Sequence, residues 1–124
     1  MLSLPPNPNG SDPWVPYASL TAQDQAVAQY PFLDGTTVRV AVIDRGIDYT
    51  APQLGGSIAI NKTVIGGYNF RDGNNTQLLD DYGHGTTVAG IIAGSGYTDS
   101  GAYNQGIAPV TQILDLKQES SAGV

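Results

Sequence analysis

The chain has 124 residues, 40% hydrophobic and 13% charged, which suits one globular domain or part of a larger one and is too apolar for a disordered segment. Its net charge is -6 and its basic residues, Arg39, Arg45, Lys62, Arg71 and Lys117, are scattered, so no basic stripe is available to neutralise nucleic-acid phosphates. The absence of cysteine excludes disulfides, zinc-thiolate sites and a thiol nucleophile, and no stretch approaches the ~20 apolar residues of a membrane span.

In chain order, residues 1–19 carry repeated prolines with Asn-Gly and Ser-Asp turn signals, and read as an extended arm anchored by Trp14. The arm opens with neither a basic start nor an apolar run of signal-peptide length. Thr21-Ala22-Gln23-Asp24 has the spacing of a capping box, predicting a short helix that runs to Tyr30 and is closed by Pro31. Thr37 to Ile43 is a β-branched apolar strand, nearly continuous in its second half, as expected of a strand covered on both faces. It stops at Asp44-Arg45-Gly46. Pro52 forbids a long helix over Ile47 to Leu54, and Ser57 to Ile60 and Thr63 to Phe70 read as short strands.

A polar loop over Arg71 to Gln77 leads to Asp80-Asp81-Tyr82-Gly83-His84-Gly85-Thr86, which holds the single histidine of the chain. Val88, Ile91 and Ile92 then recur at helical spacing until Gly94-Ser95-Gly96 stops the helix, so His84 sits in or just before its first turn. Gly83, Gly85 and Gly90 leave one side of this helix start without bulk, which suits close approach by another backbone or by a substrate. Asp80 and Asp81 read as helix-start charges, favourable beside the dipole. After a Gly/Asn/Ser loop over Tyr97 to Gln105, Val110 to Lys117 is a second principal strand, and strand, helix, strand predicts a parallel pair. The chain ends soon after, with few strands and helices for an independent core, so a fragment of a larger domain is expected.

In parallel α/β sheets, reacting groups gather beyond the carboxyl ends of strands. Asp44 holds such an end and His84 opens the next long helix, so the two side chains can meet at one sheet edge. Taken singly, each has an ordinary reading, a turn aspartate and a helix-capping histidine. Taken together, an aspartate bonded to one ring nitrogen fixes the tautomer and leaves the other nitrogen to draw a proton from a hydroxyl.

VAVIDRGIDYTAPQL (Val40 to Leu54) resembles the aspartate motif of subtilisin-like serine peptidases, and DDYGHGTTVAGIIAG (Asp80 to Gly94) is similar to their histidine motif. GIAPVTQILDLKQ (Gly106 to Gln118) is similar to the segment that follows in that family, and Val15-Pro16-Tyr17 with the short helix to its amino-terminal arm. The resemblance implies a partial subtilisin-like α/β fold, a parallel sheet flanked by helices, over residues 20–124 and truncated before the serine motif. It implies Asp44 as orienting acid and His84 as general base, with the nucleophile in a Gly-Thr-Ser motif further along a complete domain. It also implies protein or peptide substrates, no nucleic-acid or membrane partner, no required cofactor, an extracellular setting, and structural calcium at most in the full domain.

Three positions depart from the pattern. Arg45 replaces the usual Ser or Thr after the aspartate, and its side chain must reach solvent or an acid such as Asp48. Thr87 stands where a second histidine is common. Gln53 replaces an aspartate that helps bind calcium in some members, which weighs against a calcium site of that type. Two rival readings stand beside this one: a truncated, non-catalytic relative acting as a binding or regulatory module, and a nucleotide-binding α/β domain. The second lacks both the third glycine of a dinucleotide fingerprint and a Gly-Lys-Ser/Thr loop.

Overall fold

The computed structural model describes residues 21–95 and 105–118. The arm expected over residues 1–19, most of the loop after the long helix, and residues 119–124 lie outside them. The described elements run α1 (Gln23–Gln29), β1 (Arg39–Asp44), a 3-10 turn (Pro52–Leu54), β2 (Val64–Asn69), α2 (His84–Ala93) and β3 (Gln112–Lys117). The three strands form one parallel sheet in the order β1-β3-β2, as strand, helix, strand predicts.

Three local departures from the sequence reading have identifiable causes. α1 takes Ala22 as its cap residue, with φ of 60°, while the side chain of Asp24, half of the predicted capping box, lies outside what the structure describes. β1 opens at Arg39 because Thr37 adopts φ of 67°, a left-handed conformation that a β-branched residue cannot carry into a strand. Ser57 to Ile60 is not a strand: the Lys62 amide donates to the Ala59 carbonyl, and the resulting turn feeds β2 while Ile58 packs on the core. β1 is covered on one face only among the described residues, since Val42 is buried while Ile43 is 61% exposed.

The core lies between the sheet and α2, where Val42, Ile47, Leu54, Val64, Ala89, Ala93 and Ile113 are buried against one another. The helix turns its small residues inward. Gly85, Ala89 and Ala93, spaced four apart, face the sheet, while Ile91 points away and is 55% exposed. Small residues let the helix axis approach β1 and β3 closely, so the predicted Val88/Ile91/Ile92 stripe marks the rim of the contact and not its centre. The carboxyl end of α2 is tied back by its own connection: the amides of Gly106, Ile107 and Ala108 donate to the carbonyls of Gly94, Ile91 and Ile92. These bonds satisfy carbonyls that a helix end otherwise leaves open and fix α2 over the sheet.

Candidate active site

Asp44 is the last residue of β1 and His84 the first of α2, and both lie at the carboxyl edge of the sheet. Two glycines determine how closely they approach. Gly46 turns the chain with φ of 101°, a conformation costly for any residue with a side chain. Gly85 then packs on that turn: a Cβ there would lie 2.1 Å from the Gly46 carbonyl oxygen and 3.1 Å from the Asp44 Cβ. Only a bare backbone allows the first turn of α2 to seat against the end of β1.

Asp80 sets the position of that first turn. Its carboxylate accepts from the amides of Tyr82 at 2.9 Å, Gly83 at 2.8 Å and Thr86 at 2.9 Å, and from the Thr86 hydroxyl. The Thr86 hydroxyl oxygen in turn accepts from the Asp48 amide at 2.9 Å, joining the loop after β1 to the same network. Partial burial works against the charge of Asp80, but the bonds from Thr86, Gly83 and Tyr82 outweigh it and hold the carboxyl below its usual range.

The result is a 2.7 Å contact between His84 Nδ1 and Asp44 Oδ2. The other carboxylate oxygen accepts from the Arg45 amide at 2.8 Å, and the Asp44 carbonyl accepts from the Gln118 amide at 2.9 Å, so the acid is anchored from both neighbouring segments. A carboxylate can only accept, so Nδ1 carries the hydrogen of the neutral ring and Nε2 keeps its lone pair. The Asp44 side chain is 15% exposed and the His84 ring 63%, which leaves the acid sheltered and the ring accessible. The ring borders an open recess of about 240 Å³ lined by Ile43, Asp44, Arg45, Tyr82, His84 and Gln118.

Beneath this edge lies an acid that the strand pattern alone did not single out. Asp115, in the central strand, is fully buried; its Oδ2 accepts from the Ile47 amide at 3.0 Å, and Oδ1 has no hydrogen-bond partner among the described residues. Burial raises its carboxyl to about 7, against the opposing effects of the Ile47 amide and Lys117, with Asp80 and Asp44 adding to the rise. Lys117, also buried, donates to the Leu79 carbonyl at 2.6 Å and lies 3.8 Å from Asp81. The signal was present in Ile113-x-Asp115-x-Lys117, a strand alternation that puts two charged residues on the same inward row as a core isoleucine.

The consequence for stability has a definite sign. The folded state holds the Asp115 proton up to about pH 7 and the unfolded state releases it near 3.8. Stability from this group is therefore complete at low pH and falls as pH rises through that window. Asp115→Asn keeps an acceptor for the Ile47 amide and cannot ionise. Urea unfolding at about pH 8 should show the variant more stable than the parent by on the order of 1–4 kcal/mol, with the difference vanishing near pH 4.

The departures read from the sequence also find places. The Arg45 guanidinium carbon lies over the Tyr82 ring, 4.6 Å from its centroid, an aromatic partner that the choice between solvent and Asp48 omitted. Thr87 turns back to donate from its hydroxyl to the Gly83 carbonyl at 2.8 Å. Gln53 uses its carbonyl to accept from the Ser95 amide at 2.9 Å. Asp72 is engaged within its own turn, accepting from Asn69 Nδ2 at 2.9 Å while its amide donates to Asn69 Oδ1. No group of three or more His, Cys, Asp or Glu side chains is placed to hold a metal among the described residues.

Comparison with known proteins bears on this geometry. The sequence matches the subtilase family over residues 35–123. It is 41% identical over 86 residues to the major intracellular serine protease of Bacillus subtilis (strain 168), covering 67% of this chain and 24% of that protein. It is 40% identical over 84 residues to the cell wall-associated protease of the same organism, covering 68% of this chain and 9% of that protein. Among solved structures, MycP1, a serine protease described as an essential component of the type VII (ESX-1) secretion system, superposes with a TM-score of 0.60 at 28% identity, covering 97% of this chain and 28% of that one. MycP1 from Mycobacterium smegmatis gives 0.59 at 32% identity, covering 97% and 27%. The chain thus spans less than a third of each of these proteins. A parallel sheet with Asp44 and His84 at its carboxyl edge and a sequence match across most of the chain lead to one conclusion: the chain belongs to the subtilase family.

Proposed function

We propose that this chain is the amino-terminal part, over residues 20–124, of a subtilisin-like serine endopeptidase. In this reading Asp44 is the orienting acid and His84 the general base of an Asp-His-Ser triad whose serine lies outside these residues. The observation that carries it is the 2.7 Å bond from Asp44 to Nδ1 of an otherwise accessible imidazole. In the complete enzyme, His84 Nε2 takes the proton of the serine hydroxyl as that oxygen attacks a peptide carbonyl. Asp44 holds the ring in the required tautomer and stabilises the imidazolium as it forms. The same nitrogen then delivers the proton to the leaving amine. Protein or peptide substrates, an extracellular setting, and chemistry that needs no cofactor, nucleic acid or membrane are parts of the same proposal. No described helix is long and apolar enough to cross a membrane.

An acid and a base without a hydroxyl have nothing to activate. The 124-residue polypeptide alone is therefore expected to show no peptidase turnover and no labelling by a fluorophosphonate probe. The longer product of the same reading frame should cleave casein and take the label on a serine beyond Val124. A long product that folds yet neither cleaves nor labels would favour the non-catalytic relative as the correct reading.

A further inference from the structure

β3 bears neither member of the proposed pair, yet its inward row holds both segments that do. Asp115 accepts from the Ile47 amide at 3.0 Å, just past Asp44, and Lys117 donates to the Leu79 carbonyl at 2.6 Å, ahead of His84. The two segments meet at Gly46. A Cβ there would lie 2.3 Å from the Leu78 carbonyl oxygen, which itself accepts from the Ile47 amide at 3.2 Å, and the Gly46 carbonyl is the atom on which Gly85 of α2 is seated. The Ile47 amide is therefore shared between Leu78 and Asp115, and whatever moves it moves the seat of α2.

The charged groups around Asp115 are Lys117 on its own strand, Asp44 at the end of β1 and Asp80 ahead of α2, and Lys117 is itself 3.8 Å from Asp81. α2 has no titratable side chain but His84; β2 sets Gly67 against Asp115, and its tyrosine, Tyr68, is exposed. The loop after β1 brings the Ile47 amide and the core-packed Tyr49, while the Asp48 carboxylate is bonded to Thr50. Oδ1 of Asp115 has no hydrogen-bond partner among the described residues, so a negative charge there is poorly compensated. Relief comes by admitting water or by moving toward Lys117, and either displaces the Ile47 amide. We infer that Asp115 is a positioning residue for the Asp44–His84 pair: through the Ile47 amide it supports the turn on which α2 is seated, and it does so only while it carries its proton. Its effect on rate presupposes the peptidase reading above; its effect on the His84 ring does not.

The test uses the full-length protein and an internally quenched peptide. In the parent, kcat should rise as His84 loses its proton and then fall above about pH 7, by up to about tenfold per pH unit, as Asp115 ionises, with KM level and circular dichroism showing folded protein. Asp115→Asn keeps an acceptor for the Ile47 amide and cannot ionise, so it should retain most of the parent's rate near neutrality and lose the alkaline fall. Asp115→Ala, which offers no acceptor, should lose about 10²-fold in kcat at every pH, the cost of displacing a reacting group by about 1 Å. Should Asp115→Ala fail to fold, Asp115→Asn against the parent decides alone. A second readout needs no turnover: the downfield Nδ1–H proton resonance of His84, assigned by its loss in His84→Ala, should weaken above about pH 7 in the parent and persist in Asp115→Asn. An alkaline fall that survives Asp115→Asn, a folded Asp115→Ala with the parent's kcat, or one pH course of the Nδ1–H signal in parent and Asp115→Asn overturns the inference and leaves the peptidase reading standing. Absence of cleavage by the folded parent overturns the peptidase reading, and the Nδ1–H signal then decides whether Asp115 positions the pair.

Discussion

Replacing His84 with alanine in the full-length protein should lower kcat by on the order of 10⁶, as expected when one member of a triad acting as a unit is lost. Asp44→Asn should cost about 10⁴ and leave the fold intact, because the amide can occupy the same site while offering a hydrogen where Nδ1–H needs an acceptor. The asymmetry carries the information. Asp44 already makes two further anchoring contacts, through the Arg45 and Gln118 amides, so its substitution disturbs the tautomer more than the backbone. Rates measured on casein or a quenched peptide, with circular dichroism as a control for folding, would check both values. Losses below about tenfold for either variant would remove the pair from the proposed mechanism.

Gly85→Ala should be among the damaging methyl additions at the described glycines, and the one that acts directly on the position of His84. The added Cβ would sit 2.1 Å from the Gly46 carbonyl oxygen, a backbone atom that cannot rotate away, and 3.2 Å from Asp44 Oδ1. The first turn of α2 must then lift from the end of β1, at the ~1–3 kcal/mol typical of overpacking, and it carries His84 with it. Displacement of a reacting group by about 1 Å costs ~10²-fold in rate, so activity should fall further than stability alone requires. Gly90→Ala, on the same helix, is the contrasting case. A Cβ there meets nothing within 4 Å, and the change should stabilise by up to ~1 kcal/mol through helix propensity. Urea unfolding and kcat/KM of the two variants, measured together, separate helix propensity from seating.

These expectations show which parts of the molecule the residues announce and which they conceal. The parallel pairing of β1 with β3, the start of α2 at His84 and the placing of Asp44 at a strand end all follow from local signals: β-branched runs, a glycine-flanked histidine, an Asp-x-Gly stop. The family's α/β class was legible for the same reason. What was misread depends partly on tight local turns and partly on partners distant in sequence. Thr37 and Ser57 to Ile60 have strand-like composition, but a left-handed turn and the Ala59–Lys62 hydrogen bond override it. The helical spacing of the apolar residues of α2 announced the helix but not which side is buried, and close seating on the sheet selected Gly85, Ala89 and Ala93. The tie of Asp80 to three amides and a hydroxyl looked like a simple dipole charge, and Asp115 looked like one more residue of a strand. Each gains its meaning only when Ile47, Thr86 and the loop after β1 are brought into place.

The strand order also has a kinetic meaning. Among the described strands β1 and β2 are not paired with each other, and each pairs with β3, with Arg39 opposite Gln112 across a separation of 73 residues. No rung of this ladder is local, and loops of that length must close before any sheet contact compensates for their entropy. On a ribosome, α1 and α2 can form as they emerge, but the scaffold that brings Asp44 to His84 must wait until Lys117 has left the exit tunnel. Any nascent chain halted short of β3 exposes two unpaired parallel strands, which makes that interval the time of greatest risk of misassociation.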